Sequence, residues 1–161
     1  LPKVYGGFNT SLSWKGFDLS AIFAYSIGGY IYNRDITMIL HNGSLEGRDW
    51  STEILKRWTP DNRYTDVPAL STTSNNWNSA STRFLQNNSY MRLKNLTLSY
   101  NLPKQWISKL SLSSVQVYVQ GDNLFTIHRN QGLDPEQGIT GITYYRYPAM
   151  RTISGGINVS F

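Results

Sequence analysis

The chain has 161 residues, of which 40% are apolar, 14% aromatic and only 16% charged, with a formal net charge of +5. Low charge with abundant Tyr and Trp departs from the roughly 25% charged average of soluble domains. The absence of cysteine excludes a disulfide framework and a thiolate zinc site. No apolar run approaches the ~18 residues of a membrane helix, and the scattered basic residues leave no footprint for nucleic acid.

Any insertion into a membrane must therefore use strands, and strands are what the chain offers. Val4, Gly6, Phe8, Thr10, Leu12 and Trp14 fall on one face of the first alternating stretch. Lys15-Gly16 predicts a tight turn, after which Phe17, Leu19, Ala21, Phe23, Tyr25 and Ile27 form the apolar face of a second strand, about 17–28. Its length suits the ~9–11 residues that a tilted strand needs to cross a bilayer. From about Gly29 to Asn88 the alternation dissolves into Asn, Ser, Thr and Asp with isolated aromatics, interrupted by one expected helix from Ser51 to Trp58. A loop of that length suits the extracellular side of an outer-membrane barrel.

A third strand is expected over 90–101. There Leu96, Leu98 and Tyr100 share a face, while Met91 and Leu93 fall on the other, so the phase slips near Lys94-Asn95 as at a β-bulge. A helical turn after Pro103 leads to a fourth strand over 115–128, with Val115, Val117, Val119, Gly121, Asn123, Phe125 and Ile127 in phase. After a second irregular stretch, 129–150, comes the final strand, 151–161. Ile153, Gly155, Ile157, Val159 and Phe161 alternate there with Thr152, Ser154, Gly156, Asn158 and Ser160. The polar face is small and uncharged, which suits a crowded, water-containing lumen.

These features predict an all-β fold: an antiparallel transmembrane barrel segment of about five strands with long extracellular loops. With a periplasmic C-terminus, Trp14, Phe17, Tyr100 and Phe161 would meet at one interface as an aromatic girdle. Five strands cannot close a barrel, and open edges are not tolerated in lipid. The expectation is therefore the C-terminal part of a larger protein. The competing expectation is a soluble β-sandwich that binds carbohydrate through surface aromatics.

No catalytic or metal-binding constellation emerges. Asp134 and Glu136 resemble a glycosidase pair only in composition, since positions two apart on an extended chain point to opposite sides. His41 and His128 lack carboxylates at metal-motif spacing and are expected to be solvated loop or lumen residues.

Ordered along the chain are YGGFN (5–9), ILKRWTP (54–60), SYMRLKNLTLSYNLP (89–103), VYVQGDNLFT (117–126), GLDPE (132–136) and Tyr147-Pro148 ahead of Arg151-Thr152. Together this set resembles the C-terminus of SusC/RagA-type TonB-dependent outer-membrane transporters, with Met91 and Ser99 where the family often has Leu and Gly. The resemblance implies a plugged barrel of roughly 22 strands, with no cofactor. It also implies a SusD-type surface lipoprotein partner and energy from the TonB complex through an N-terminal part with no counterpart here. Gly155, Ile157, Val159 and Phe161 would then face lipid and be recognised by the outer-membrane assembly machinery. Trp77, Tyr144, Tyr145 and Arg146 become the loop candidates for contact with ligand or lipoprotein, because aromatics and Arg are enriched at binding surfaces.

Overall fold

The computed structural model describes residues 1–161 apart from 42, 44, 46, 72, 74–78, 109–111, 131, 133, 137–139 and 144. In chain order its elements are β1 (Val4–Trp14), β2 (Phe17–Ile27), β3 (Tyr30–Asn33), α1 (Arg34–Ile39), β4 (Leu85–Asn87), β5 (Tyr90–Asn101), α2 (Lys104–Ile107), β6 (Ser114–His128), β7 (Ile142–Thr143) and β8 (Thr152–Ser160). Among the described residues, the 3-10 turns Thr52–Lys56 and Thr82–Phe84 join them. Residues 1–29, 88–136 and 147–161 form one compact unit, and residues 30–87 with 137–146 form another.

The first unit is a five-stranded antiparallel meander in the order β1-β2-β5-β6-β8. Its first hairpin closes through Lys15 (φ 47) and Gly16 (φ 87), so two left-handed residues match the twist of the flanking strands as in a type I′ turn. Register then follows alternation: Phe8 faces Phe23, Leu12 faces Leu19, and Trp14 faces Phe17. Between Leu93 and Asn95 the ladders skip Lys94 on β5, so Leu93 pairs with Phe23 and Leu96 with Ala21. The extra residue re-phases the strand and returns Met91 and Leu93 to the apolar face. Across the β5–β6 ladder the same shift passes over Asn123 and Leu124, and Asn123 adopts φ 52.

The second unit lies where the sequence shows no periodicity, and that expectation needs correcting. Its three-stranded sheet runs β4-β3-β7, with β3 antiparallel to β4 and parallel to β7. Asn33 ends β3 and caps α1, its Oδ1 accepting the Ile36 N–H at 3.0 Å. The helix expected over Ser51–Trp58 is the shorter 3-10 turn, capped by Ser51 through the Glu53 N–H. Ile31, Leu40, Ile54, Val67 and Phe84 are buried here, and Tyr32 meets Phe84 edge-on at 6.2 Å. His41 is fully buried against Trp50, with ring centroids 5.0 Å apart, so it is a core residue of this unit and not a solvated one.

Candidate functional site

Large apolar side chains along one face of the five-stranded sheet are exposed: Val4, Phe8 and Leu12 on β1, Phe17 and Leu19 on β2, Leu98 on β5, Val117, Val119, Phe125 and Ile127 on β6, and Ile153, Ile157 and Val159 on β8. Phe161, just past β8, is 92% exposed. A face of this extent far exceeds the scattered apolar residues of an ordinary soluble surface, and a sandwich would have covered it with a second sheet. Trp14, Phe17 and Tyr100 are direct cross-strand neighbours, and the Phe17 and Tyr100 rings lie 4.5 Å apart. That row continues through Val117 to Ile157, leaving Phe161 four residues further along the chain. Three of the four aromatics expected at one interface thus form one cross-strand row, and Phe161 follows beyond the end of β8.

The opposite face is polar and internally bonded. Asn158 donates to Gln116 (3.2 Å), Gln116 to Asn101 (3.1 Å) and Asn101 to Asp18 (2.6 Å), and Ser13 donates to the other Asp18 oxygen. This chain of side chains crosses all five strands. Further along, Asn95 donates to Asp122 at 2.7 Å. The Tyr118 ring lies over Gly156, where an added Cβ would stand 2.7 Å from the Tyr118 Oη. Small residues on β8 therefore make room for a large one on β6.

At the end of β5 a charged cluster occupies this polar face. Arg92, only 3% exposed, donates Nε to Thr126 (2.9 Å), Nη1 to Glu136 (2.8 Å) and Nη2 to Asp134. Lys94, the bulged residue, reaches Glu136 Oε1 at 2.6 Å. Asp134 and Glu136 thus converge on one guanidinium, contrary to the expectation from an extended chain, because Asp134 accepts the Glu136 N–H at 2.9 Å and turns the backbone. Burial raises the Asp134 carboxyl, but the N–H groups of Ala149 and Glu136 and the Arg92 guanidinium outweigh it, and its pKa lies below the ordinary value. Asp134 and Glu136, held by Arg92 and Lys94, form an ion cluster. Among the described residues no group of three His, Asp or Glu could hold a metal ion.

Of the loop candidates, Trp77 and Tyr144 lie outside the described residues. Tyr145 is exposed and strained at φ 48, its N–H bonded to Asp35 Oδ1 at 3.1 Å. It lines a cavity of about 520 Å³ with Asp35, Met38, Ile39, Arg48 and Asp49. Arg146 is exposed beside it in the chain but is not among the residues lining that cavity. Gly155, Ile157, Val159 and Phe161 all belong to the exposed apolar face. Sequence reasoning missed Arg92, Arg48 and Asp35; the one available signal for Arg92 was a charged residue within an otherwise well-patterned strand.

No family model matches the chain. It is 34% identical over 171 residues to the TonB-dependent receptor P3 of Formosa agariphila, covering 99% of this chain and 16% of the relative. To the TonB-dependent receptor SusC of Bacteroides thetaiotaomicron it is 28% identical, covering 96% and 15%. Solved structures of the RagAB peptide importer in 'closed-closed' and 'open-open' states superpose with TM-scores of 0.87 and 0.89. Both are at 35% identity over 100% of this chain and 17% of theirs. The chain thus spans about one sixth of the length of the proteins it matches. An antiparallel meander with one bare apolar face and one bonded polar face, matched end to end by these proteins, belongs to the SusC/RagA-type TonB-dependent receptors.

Proposed function

We propose that this chain forms wall strands and outer loops of a nutrient importer in the outer membrane, its apolar face against lipid and its polar face toward the lumen. The observation that carries the reading is the bare apolar face itself, whose exposure would be costly in water and is favourable in a bilayer. β1 and β8 form the edges of the sheet. In lipid such edges must be paired, so further strands complete the barrel, roughly 22 in all. The C-terminus faces the periplasm, which puts the Lys15-Gly16 turn on that side and assigns the long loops to the outside. The chain does not act as an enzyme.

By likeness to SusC and RagAB, the whole protein imports oligosaccharide or peptide, is energised by the TonB complex and works with a SusD-type lipoprotein. Tyr145 and Arg146 are the described residues proposed to contact ligand or lipoprotein, and Trp77 and Tyr144 complete the proposed set. Gly155, Ile157, Val159 and Phe161 are proposed to be read by the assembly machinery. Envelope fractionation of native cells, probed with an antibody to residues 130–147, tests the reading. An outer-membrane band several times larger than 18.4 kDa is expected, and a soluble band of that mass would overturn it.

A further inference from the structure

The chain leaves the first unit after Gly29 and after Glu136, and re-enters it at Asn88 and at Tyr147. On the first unit's side, all four points are tied together by that unit's own residues. Gly29 accepts the Asn88 N–H at 3.2 Å, and Ser89 Oγ accepts the Gly28 N–H at 3.0 Å. Asn88 Nδ2 reaches across to the Pro135 carbonyl at 2.9 Å. Asp134 then closes the second pair: Oδ1 takes the Glu136 N–H on the outgoing limb at 2.9 Å, and Oδ2 takes the Ala149 N–H on the returning limb at 2.6 Å. Arg92, buried on β5, fixes that same carboxylate to the sheet.

The burial of Arg92 gives the direction of dependence. A guanidinium withdrawn from water is stable only when its donors are matched, and here two of them are matched by carboxylates of the loop. Its planar fork can serve Asp134 and Glu136 at once, which a lysine ammonium cannot do with the same geometry. We infer that Asp134, clamped by Arg92, is the positioning residue that holds both limbs of the 134–149 loop to the sheet and so fixes the base from which the outer residues spring. A part for that anchor in binding rests on the proposed function. The anchor itself needs no ligand to be tested.

The test is limited trypsin digestion of the purified full-length protein in detergent, comparing cleavage after Arg146 with cleavage after Lys15. Both residues are exposed, and Lys15 lies in the turn at the other end of β1 and β2. Asp134→Ala is expected to raise the Arg146-to-Lys15 cleavage ratio about tenfold, since it removes charge-assisted bonds on both limbs. Ala149→Pro deletes the returning limb's N–H at a position outside every strand, and should raise the ratio about threefold. Arg92→Lys, which keeps the charge and loses the fork, should fall between wild type and Asp134→Ala. An unchanged ratio in Ala149→Pro, or equal acceleration at both sites in Asp134→Ala, would overturn the assignment. Should Asp134→Ala fail to assemble, Ala149→Pro decides alone.

Discussion

The two units dispose of their large apolar side chains differently. In the second, Ile31, Leu40, Ile54, Val67 and Phe84 are buried beside Asn33, Thr37, His41 and Thr143; in the first, Ser26, Arg92, Ser99 and Asn130 are buried beside Ala21, Leu93 and Ile107, while a row of Phe, Leu, Val and Ile side chains on every strand of one sheet face stands exposed. One rule produces both arrangements, because apolar surface leaves water in each case. The second unit achieves this by folding on itself, and the first, on the function proposed above, by facing a medium that is itself apolar. Burial therefore identifies the surroundings for which each unit is built, and the same substitution should have opposite consequences in the two.

Phe84→Ala offers the largest contrast. It empties a nearly closed site against Tyr32, at a cost of about 3–5 kcal/mol to the second unit. Amide exchange across residues 30–40 should speed up, while the yield of heat-modifiable barrel stays near wild type. Val119→Lys is the converse. Paired with Leu98 and Gly155 in the middle of the apolar face, it should cost about 2–4 kcal/mol in the bilayer and sharply reduce that yield. A normal yield would mean that the face does not meet lipid, and the comparison would fail.

Gly156→Val should be milder. It forces the Tyr118 ring off β8 at about 1–3 kcal/mol, lowering the temperature at which the barrel loses heat-modifiability. The smallest effect concerns pH. Asp134 has a folded pKa below its ordinary 3.8, so its contribution is complete above the unfolded value and is lost as pH falls through the folded one. Protection of the Ala149 amide, corrected for intrinsic exchange, should hold from about pH 8 to pH 5 and decay only below the ordinary carboxylate range. Decay near neutrality would implicate another group.

What was legible in the sequence follows the same division. Strands that alternate for nine to fifteen residues announce themselves, and expected bounds such as 17–28 and 115–128 differ from Phe17–Ile27 and Ser114–His128 by one residue. The slip at Lys94 was visible because one extra residue reverses parity. Its counterpart on β6 was silent, since two extra residues, Asn123 and Leu124, restore parity and leave Gly121 and Phe125 in phase. The second unit was opaque for a different reason. Its strands are two to four residues long, and β3 pairs with β7 across more than a hundred residues of chain. Local pattern carries no such information. Arg92 and Asp134 are likewise joined only by the fold, so the ion cluster had no signature in spacing, and the His41–Trp50 contact had none either.

The edges of the five-stranded sheet have a kinetic consequence. β1 and β8 each present a row of backbone donors and acceptors with no strand beyond them in this sheet. In hydrocarbon every such group costs several kcal/mol. A half-built sheet is therefore a high-energy state in the bilayer, and strands cannot be added one at a time across bare lipid. On the proposed function such an edge, like the live end of a growing polymer, needs shelter until its next partner arrives.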